Sequence, residues 1–149
     1  MYNKIAAVLR NIGNQHCIEK ANALEAMAYQ TSSLYLRNLN LRTEDIIAIS
    51  EVLNNESNVN ELKSISFSYN KQIGDIGTSV LMKSLPVSIC EVGLVDCGIG
   101  DQGGIEILQW INSAPDLSML CIEKNCFSDP LKMQFNAFKS NNPKIMVVF

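Results

Sequence analysis

The sequence has few of the residues from which metal and catalytic sites are usually built. It contains one histidine, His16, and its five cysteines include no C-x2-C pair. Zinc requires about four ligands in a tight tetrahedral array, and a Cys–His nucleophile requires a histidine beside a thiol. We therefore predict a protein that is not an enzyme, with no catalytic residue, metal or cofactor, and we interpret the thiols as structural; a redox or metal role is the alternative.

Long apolar runs and clusters of positive charge are also missing. No stretch approaches the roughly 18 to 20 apolar residues of a membrane span, and the 12 Lys and Arg are scattered along a chain of net charge −3. Nucleic acid and membranes are therefore poor candidate partners. The first ten residues lack a signal-peptide pattern, and five cysteines, an odd number, favour a reduced, cytoplasmic protein.

What the sequence does contain is an internal repeat. Four segments share a template of alternating apolar residues, a turn and a helix start. Their first apolar residues, Leu34, Ile65, Val92 and Leu120, are 31, 27 and 28 residues apart. A further step of 28 residues reaches Val148, so the segment Ile145–Phe149 is predicted to open a fifth unit with its strand.

Each unit is predicted to consist of a strand, a turn and a helix. Alternation such as that of Val92 and Leu94 is typical of a strand with one buried face. Asn70, Cys97 and Asn125 occupy the turn, where a buried amide could satisfy backbone groups. Leu39 occupies this position in the first unit, so either that turn is built differently or the unit is partly a cap. The predicted N-caps of the four helices are Thr43, Asp75, Asp101 and Asp129.

This template resembles the leucine-rich repeats of the ribonuclease-inhibitor-like variety, whose units have about 28 residues. The clearest matches are the segments Ile89–Ile99 and Leu117–Phe127, and the resemblance covers about residues 31–149. It implies an α/β fold: a short right-handed β-α solenoid with a parallel concave sheet and convex helices. We predict one domain, with residues 1–30 as an N-terminal helical cap of two helices broken at Gly13-Asn14. A degenerate extra repeat is the alternative for that segment.

The candidate binding residues alternate with the buried strand residues and should therefore point to the concave side. They mix aromatic, cationic and anionic groups without pairing a nucleophile and a base, as a recognition surface would; simple solvation of a polar face is the alternative. The predicted partner-binding residues are Tyr35, Arg37, Ser66, Ser68, Tyr69, Val95, Asp96, Cys121, Glu123 and Lys124.

The functional prediction is a protein–protein interaction module, which is also what the resemblance implies, since such repeats usually bind proteins along the concave sheet. An adaptor, an assembly factor and an effector remain equal possibilities. One alternative is a GTPase-regulating leucine-rich-repeat protein, for which Arg37 would be the only concave-strand arginine available. Another is a structural homo-oligomer, in which two copies pair through the apolar strand at Ile145–Phe149.

Overall fold

The computed structural model describes residues 1–27 and 31–149 as an α/β structure with a five-stranded parallel sheet. Residues 28–30 of the predicted cap lie outside the described residues. The helices are α1 (Tyr2–Ile12), α2 (Gln15–Met27), α3 (Thr43–Asn55), α4 (Gly74–Ser84), α5 (Asp101–Ile111) and α6 (Asp129–Asn141), with a 3-10 turn at Val59–Glu61. The strands are β1 (Ser33–Tyr35), β2 (Ser64–Ser66), β3 (Glu91–Gly93), β4 (Met119–Cys121) and β5 (Met146–Val148).

The strands follow one another across the sheet in chain order, from β1 to β5. The four predicted first apolar residues lie side by side in this register, which confirms their alignment. The fifth position is Val147, paired with Leu120 and 1% exposed, whereas Val148 is 37% exposed. The prediction of Val148 was therefore wrong by one residue, because a shift of one position along a strand moves a side chain to the opposite face.

The core lies between one face of the sheet and the helices. A second column of strand-end residues, Leu36, Phe67, Leu94 and Ile122, is fully buried beside the first. The predicted apolar stripes of two helices are also confirmed as buried: Ile46, Ile49 and Leu53 in α3, and Leu131, Phe135 and Phe138 in α6. Among the described residues, no helix lines the opposite face of the sheet, which we call the open face; the residues on it include Tyr35, Ser66, Gly93 and Cys121.

Helices α1 and α2 pack together at the β1 end of the structure. Gly13 separates them in a left-handed conformation, which glycine adopts without strain. The buried side of α2 is formed by Cys17, Ala21 and Leu24. Ile18 and Met27, the larger apolar residues near its two ends, are exposed. Residues spaced four and three apart, two of them small, allow α2 to pack closely without a large apolar stripe.

Two turn asparagines hold neighbouring units together. The Asn70 Oδ1 accepts hydrogen bonds from the N–H groups of Leu39 (2.9 Å) and Leu41 (3.0 Å), and its Nδ2 donates to the carbonyls of Leu36 (2.8 Å) and Phe67 (2.7 Å). Asn125 repeats all four bonds two units further along the sheet, with the backbones of units three and four. These amides satisfy backbone groups that the strands leave free.

The other two turn positions are built differently. The Cys97 thiol donates to the Phe67 carbonyl at 3.3 Å, and the turn beneath it contains one extra residue, which lets the Ile73 N–H bond the Asn70 carbonyl at 3.1 Å. A full amide is therefore not needed at position 97. In the first unit Leu39 is buried, and Asn14 Nδ2 from the α1–α2 junction donates to its carbonyl at 3.1 Å. The N-terminal helices thus complete the first turn.

The four predicted N-cap residues lie instead at the first or second helical position. The N-cap positions are Arg42, Ile73, Gly100 and Ser128, so the predicted capping role was wrong. Three of the four side chains bond the next unit. Thr43 Oγ1 donates to the Ile73 carbonyl at 2.9 Å. Asp75 Oδ1 accepts from Gly100 N (2.7 Å) and Gly103 N (3.0 Å), and Asp101 Oδ1 accepts from Ser128 N (2.8 Å).

Asp129 is exposed, with its Oδ1 3.8 Å from Lys132 Nζ in the same helix, and Ser128 Oγ accepts from Leu131 N at the start of α6. The polar residues at the helix starts therefore act mainly between units. Within residues 1–27 and 31–149, no helix is both long and apolar enough to cross a membrane.

Candidate functional site

The open face presents side chains in ordered rows, because the strands are parallel and in register. One row consists of Tyr35, Ser66, Gly93 and Cys121, which are paired strand to strand. The ladder continues into the turns, where the N–H groups of Asn38, Tyr69 and Asp96 donate to the carbonyls of the next unit at 3.0, 2.7 and 2.9 Å. A second row, Arg37, Ser68, Val95 and Glu123, is aligned in this way.

The residue after the second row adopts the same backbone conformation in all four units. Asn38, Tyr69, Asp96 and Lys124 have φ angles of 54°, 66°, 52° and 60°. This left-handed region is sterically unfavourable for residues other than glycine, and Asn and Asp tolerate it best. Because the ladder bonds fix these turns, Tyr69 and Lys124 are held there as well, and the four side chains form the rim of the open face. The residue types at 69 and 124 give no sequence signal for this conformation.

A depression of about 410 Å³ lies in the open face across strands β1 to β4. Its lining contains nine of the ten predicted partner-binding residues. The tenth, Asp96, lies at the rim, where its carboxylate forms an ion pair with Lys71 at 3.4 Å. Residues outside the predicted set complete the lining: Ser64, Ile65, Glu91, Val92, Gly93 and Met119. Strand alternation could have identified Ser64, Glu91 and Met119, which lie two positions before residues in the first row.

The floor of the depression is made of small residues. Ser66 and Ser68 are only 8% and 2% exposed. Ser66 Oγ donates to Ser68 Oγ (3.2 Å), which in turn accepts from Val95 N (3.1 Å). A Cβ added at Gly93 would lie 2.7 Å from Ser66 Oγ, so a larger residue there would require the Ser66 side chain to shift. The two serines were predicted as partner contacts, but most of their hydrogen-bonding capacity is used within the sheet and little of their surface is accessible.

Two tyrosines form the aromatic walls of the depression. Tyr35 and Tyr69 remain 43% and 40% exposed. The Arg37 guanidinium lies over the Tyr69 ring, 5.4 Å from its centroid, in a cation–π arrangement. The Tyr35 hydroxyl is 2.9 Å from Ser64 Oγ, which donates to Glu91 Oε2 at 2.8 Å. These contacts fix the positions of the exposed aromatic and charged groups, which lowers the entropy lost when a partner binds.

The depression is lined by two cationic and two anionic side chains. Arg37 follows β1, Glu91 lies on β3, and Glu123 and the neighbouring Lys124 follow β4. Burial raises the pKa of the Cys121 thiol, the nearby Glu123 and Glu91 carboxylates raise it further, and Arg37 opposes the shift. Cys121 is therefore a neutral thiol at pH 7 and a poor nucleophile.

Among the described residues, neither a histidine nor a metal-binding cluster is part of the depression. The single histidine, His16, is exposed on α2, and α2 is not among the elements that line the depression. Among residues 1–27 and 31–149, no three His, Cys, Asp or Glu side chains lie close enough to hold a metal ion. All five cysteines are free thiols, and burial raises the pKa of Cys97 to about 12.

Comparison with known proteins adds no relative: no family model matches the chain, and no curated protein matches its sequence. The geometry of the open face is therefore the basis for a functional assignment.

Proposed function

We propose that the chain is a leucine-rich-repeat solenoid of the ribonuclease-inhibitor-like variety that binds a protein partner on the concave side of its sheet. The observation that carries this proposal is the depression in the open face. It has two exposed, fixed tyrosines and a stacked arginine over a floor of small residues. Tyr and Arg side chains dominate the hot spots of protein interfaces.

The repeat architecture has independent support. Units one to four share the strand register, a left-handed residue after each of the strands β1 to β4 and side-chain bonds between helix starts. The asparagine bonds join units one and two and units three and four. Contacts of this kind, made mainly between adjacent units, are the hallmark of solenoids. Curvature toward the open face would place the depression on the concave side.

A photo-crosslinking experiment tests the proposed binding face. A photoreactive phenylalanine analogue is introduced at Tyr69, and a matched control carries it at Ile76, which is 68% exposed on α4. In an extract of the cells that express the protein, we expect a discrete adduct from position 69 and none from position 76. The unlabelled triple variant Tyr35→Ala, Arg37→Ala, Tyr69→Ala should fail to compete for that adduct, whereas the unlabelled wild type should compete. A partner that crosslinks only from position 76 would place the interface on the helices and refute the proposal.

A second candidate function, homo-oligomerisation, is favoured by the outer edge of β5. The Met146 N–H donates to the Ser118 carbonyl, and the Val148 carbonyl accepts from Ile122 N, both at 2.8 Å. In a parallel ladder the residue between them directs its N–H and C=O to the other side, so those of Val147 face away from β4. Such an edge is a template for another strand, and a second copy of Ile145–Phe149 would satisfy it.

Sedimentation equilibrium tests this candidate. We expect a dimeric mass that becomes monomeric in Val147→Pro, because proline lacks the N–H donor of the edge. Val147→Thr is the matched control, since it keeps the N–H and the branched shape and should remain dimeric. A wild-type monomer at high concentration would exclude the edge-to-edge dimer.

A further inference from the structure

The open face also indicates which chemistry its partner presents, an inference that rests on the proposed function. We propose that the partner inserts an arginine or lysine side chain into the space above Gly93, where its cationic group lies between the carboxylates of Glu91 and Glu123. We call this space the Gly93 notch; it is bounded by Tyr35, Glu91, Gly93, Cys121 and Glu123.

The shape of the notch follows from the strand register. In the first row only Ser66 and Gly93 lie between Tyr35 and Cys121, and Val148 of β5 lies beyond Cys121. With neighbouring strands about 4.8 Å apart, the backbones at Tyr35 and Cys121 are separated by roughly 14 Å. Because the residues between them are small, the gap is wide enough for one long side chain.

The charges of the notch favour a cation. Glu91 lies two residues before Gly93 on the same face of β3, roughly 7 Å along the strand, and Glu123 lies two residues beyond Cys121 on the neighbouring unit. The ion pairs found within residues 1–27 and 31–149 leave both carboxylates without a cationic partner. Arg37 is on the far side of the face, over Tyr69.

Other side chains suit the notch less well. An anionic side chain would be repelled by the two carboxylates, and a purely apolar one would remove water from them without compensation. An arginine or lysine places its aliphatic stem against Val95, Met119 and Cys121 and keeps its charge at the carboxylates. The Tyr35 hydroxyl and Ser64 already orient Glu91, and a charge-assisted bond to a fixed acceptor is stronger than one to a mobile acceptor.

NMR titration with small probes tests the inference without the natural partner. The protein carries labelled methyl groups on its methionines and valines. The probe is the capped tripeptide acetyl-Gly-Arg-Gly-amide, and its control replaces arginine by citrulline, which is neutral and nearly isosteric. We expect saturable shifts of the Val95 and Met119 methyls with the arginine peptide and no shift of Met133, which is exposed on α6. The dissociation constant of the citrulline peptide should be at least about tenfold higher, because it lacks the charge-assisted bonds.

Charge-neutral variants assign the effect to the two carboxylates. The double variant Glu91→Gln, Glu123→Gln should raise the dissociation constant of the arginine peptide at least about tenfold. The matched control, Glu44→Gln, Glu51→Gln, also removes two negative charges, but from the exposed side of α3. It should change the dissociation constant of the arginine peptide by no more than about twofold. Glu123→Gln alone should raise the dissociation constant of the arginine peptide severalfold. This single variant replaces the double variant if loss of the Ser64–Glu91 bond disturbs the fold.

Two results would overturn the inference. Equal binding of the arginine and citrulline peptides to the notch would show that the positive charge does not contribute to binding there. The proposed protein-binding role of the open face would not be affected by that result. Absence of a saturable shift at Val95 and Met119 with either peptide would also reject the notch. The crosslinking experiment judges the proposed function separately, since it depends on Tyr69 and not on either glutamate.

Discussion

Replacement of Asn70 by alanine is the sharpest test of how the units are held together. Its side chain is fully buried and bonds four backbone groups. A buried backbone group left without a partner costs about 1–3 kcal/mol. The Phe67 carbonyl keeps the Cys97 thiol as a donor, so three groups lose their only partner here. With water entering part of the vacated space, we expect Asn70→Ala to lower the free energy of unfolding by about 3–5 kcal/mol.

Alanine variants at two other turn positions should lower the free energy of unfolding by smaller amounts, with which the Asn70 variant can be compared. Asn125 makes the same four bonds but is half-buried, so water can replace part of them and Asn125→Ala should cost about 1–3 kcal/mol. Cys97→Ala removes one weak thiol donor and a small buried volume, and should cost about 1–2 kcal/mol. Asn55→Ala, on the exposed end of α3, should have almost no effect.

The measurement is urea unfolding at pH 7 followed by far-ultraviolet circular dichroism, with unchanged m values as the condition for comparing variants. We expect the costs to fall in the order Asn70, Asn125, Cys97. If Cys97→Ala destabilises the protein as much as Asn70→Ala does, the asparagine bonds do not hold the units together and the reasoning fails.

Three further predictions follow from burial and charge. Leu94→Ala, a truncation of a fully buried residue, should cost about 2–5 kcal/mol in the same urea assay; an unchanged midpoint would contradict the register. A thiol reagent at pH 8 should modify the exposed Cys126 rapidly and Cys97 only upon unfolding, since burial raises the pKa of Cys97 to about 12; mass spectrometry of the labelled peptides distinguishes the two. Hydrogen bonds from Lys4 and the N-terminal amine lower the pKa of Glu56 to about 2, so its contribution to stability is present above pH 4.5 and is lost as the pH falls toward 2. Glu56→Gln should therefore flatten this part of the acid-unfolding profile, and an unaltered profile would refute the assignment.

The sequence was most informative where one physical requirement recurs at a fixed spacing. Burial of one strand face predicts Leu34, Ile65, Val92 and Leu120 as a row, and the alternating residues then define the open face without further information. The same alternation placed nine of the ten candidate residues around one depression. The function of that depression stays a prediction until a partner is tested.

What the sequence could not supply depends on contacts between units. Asp75 looks like an N-cap because its residue type suits that role, but its carboxylate bonds the backbone of Gly100 and Gly103 in the next unit. Cys17 and Ala21 have too little apolar surface to mark the buried side of α2. The accessibility of Ser66 could not be predicted from the sequence either, because it depends on the neighbouring hydroxyl of Ser68 and on the absence of a side chain at Gly93.

The arrangement of these contacts separates stability from recognition within the same units. The bonds by which Asn70, Asp75 and Asn125 join units lie in the turns and at the helix starts, and they are made without any side chain of the rim. Tyr35 and Tyr69 contribute surface to the open face while their rings stay outside the core. Substitutions at the walls should therefore change binding and leave the fold intact, whereas substitutions of the floor serines would disturb both. For that reason the wall residues and Glu123, and not the serines, are the positions at which loss of binding can be read as loss of a partner contact.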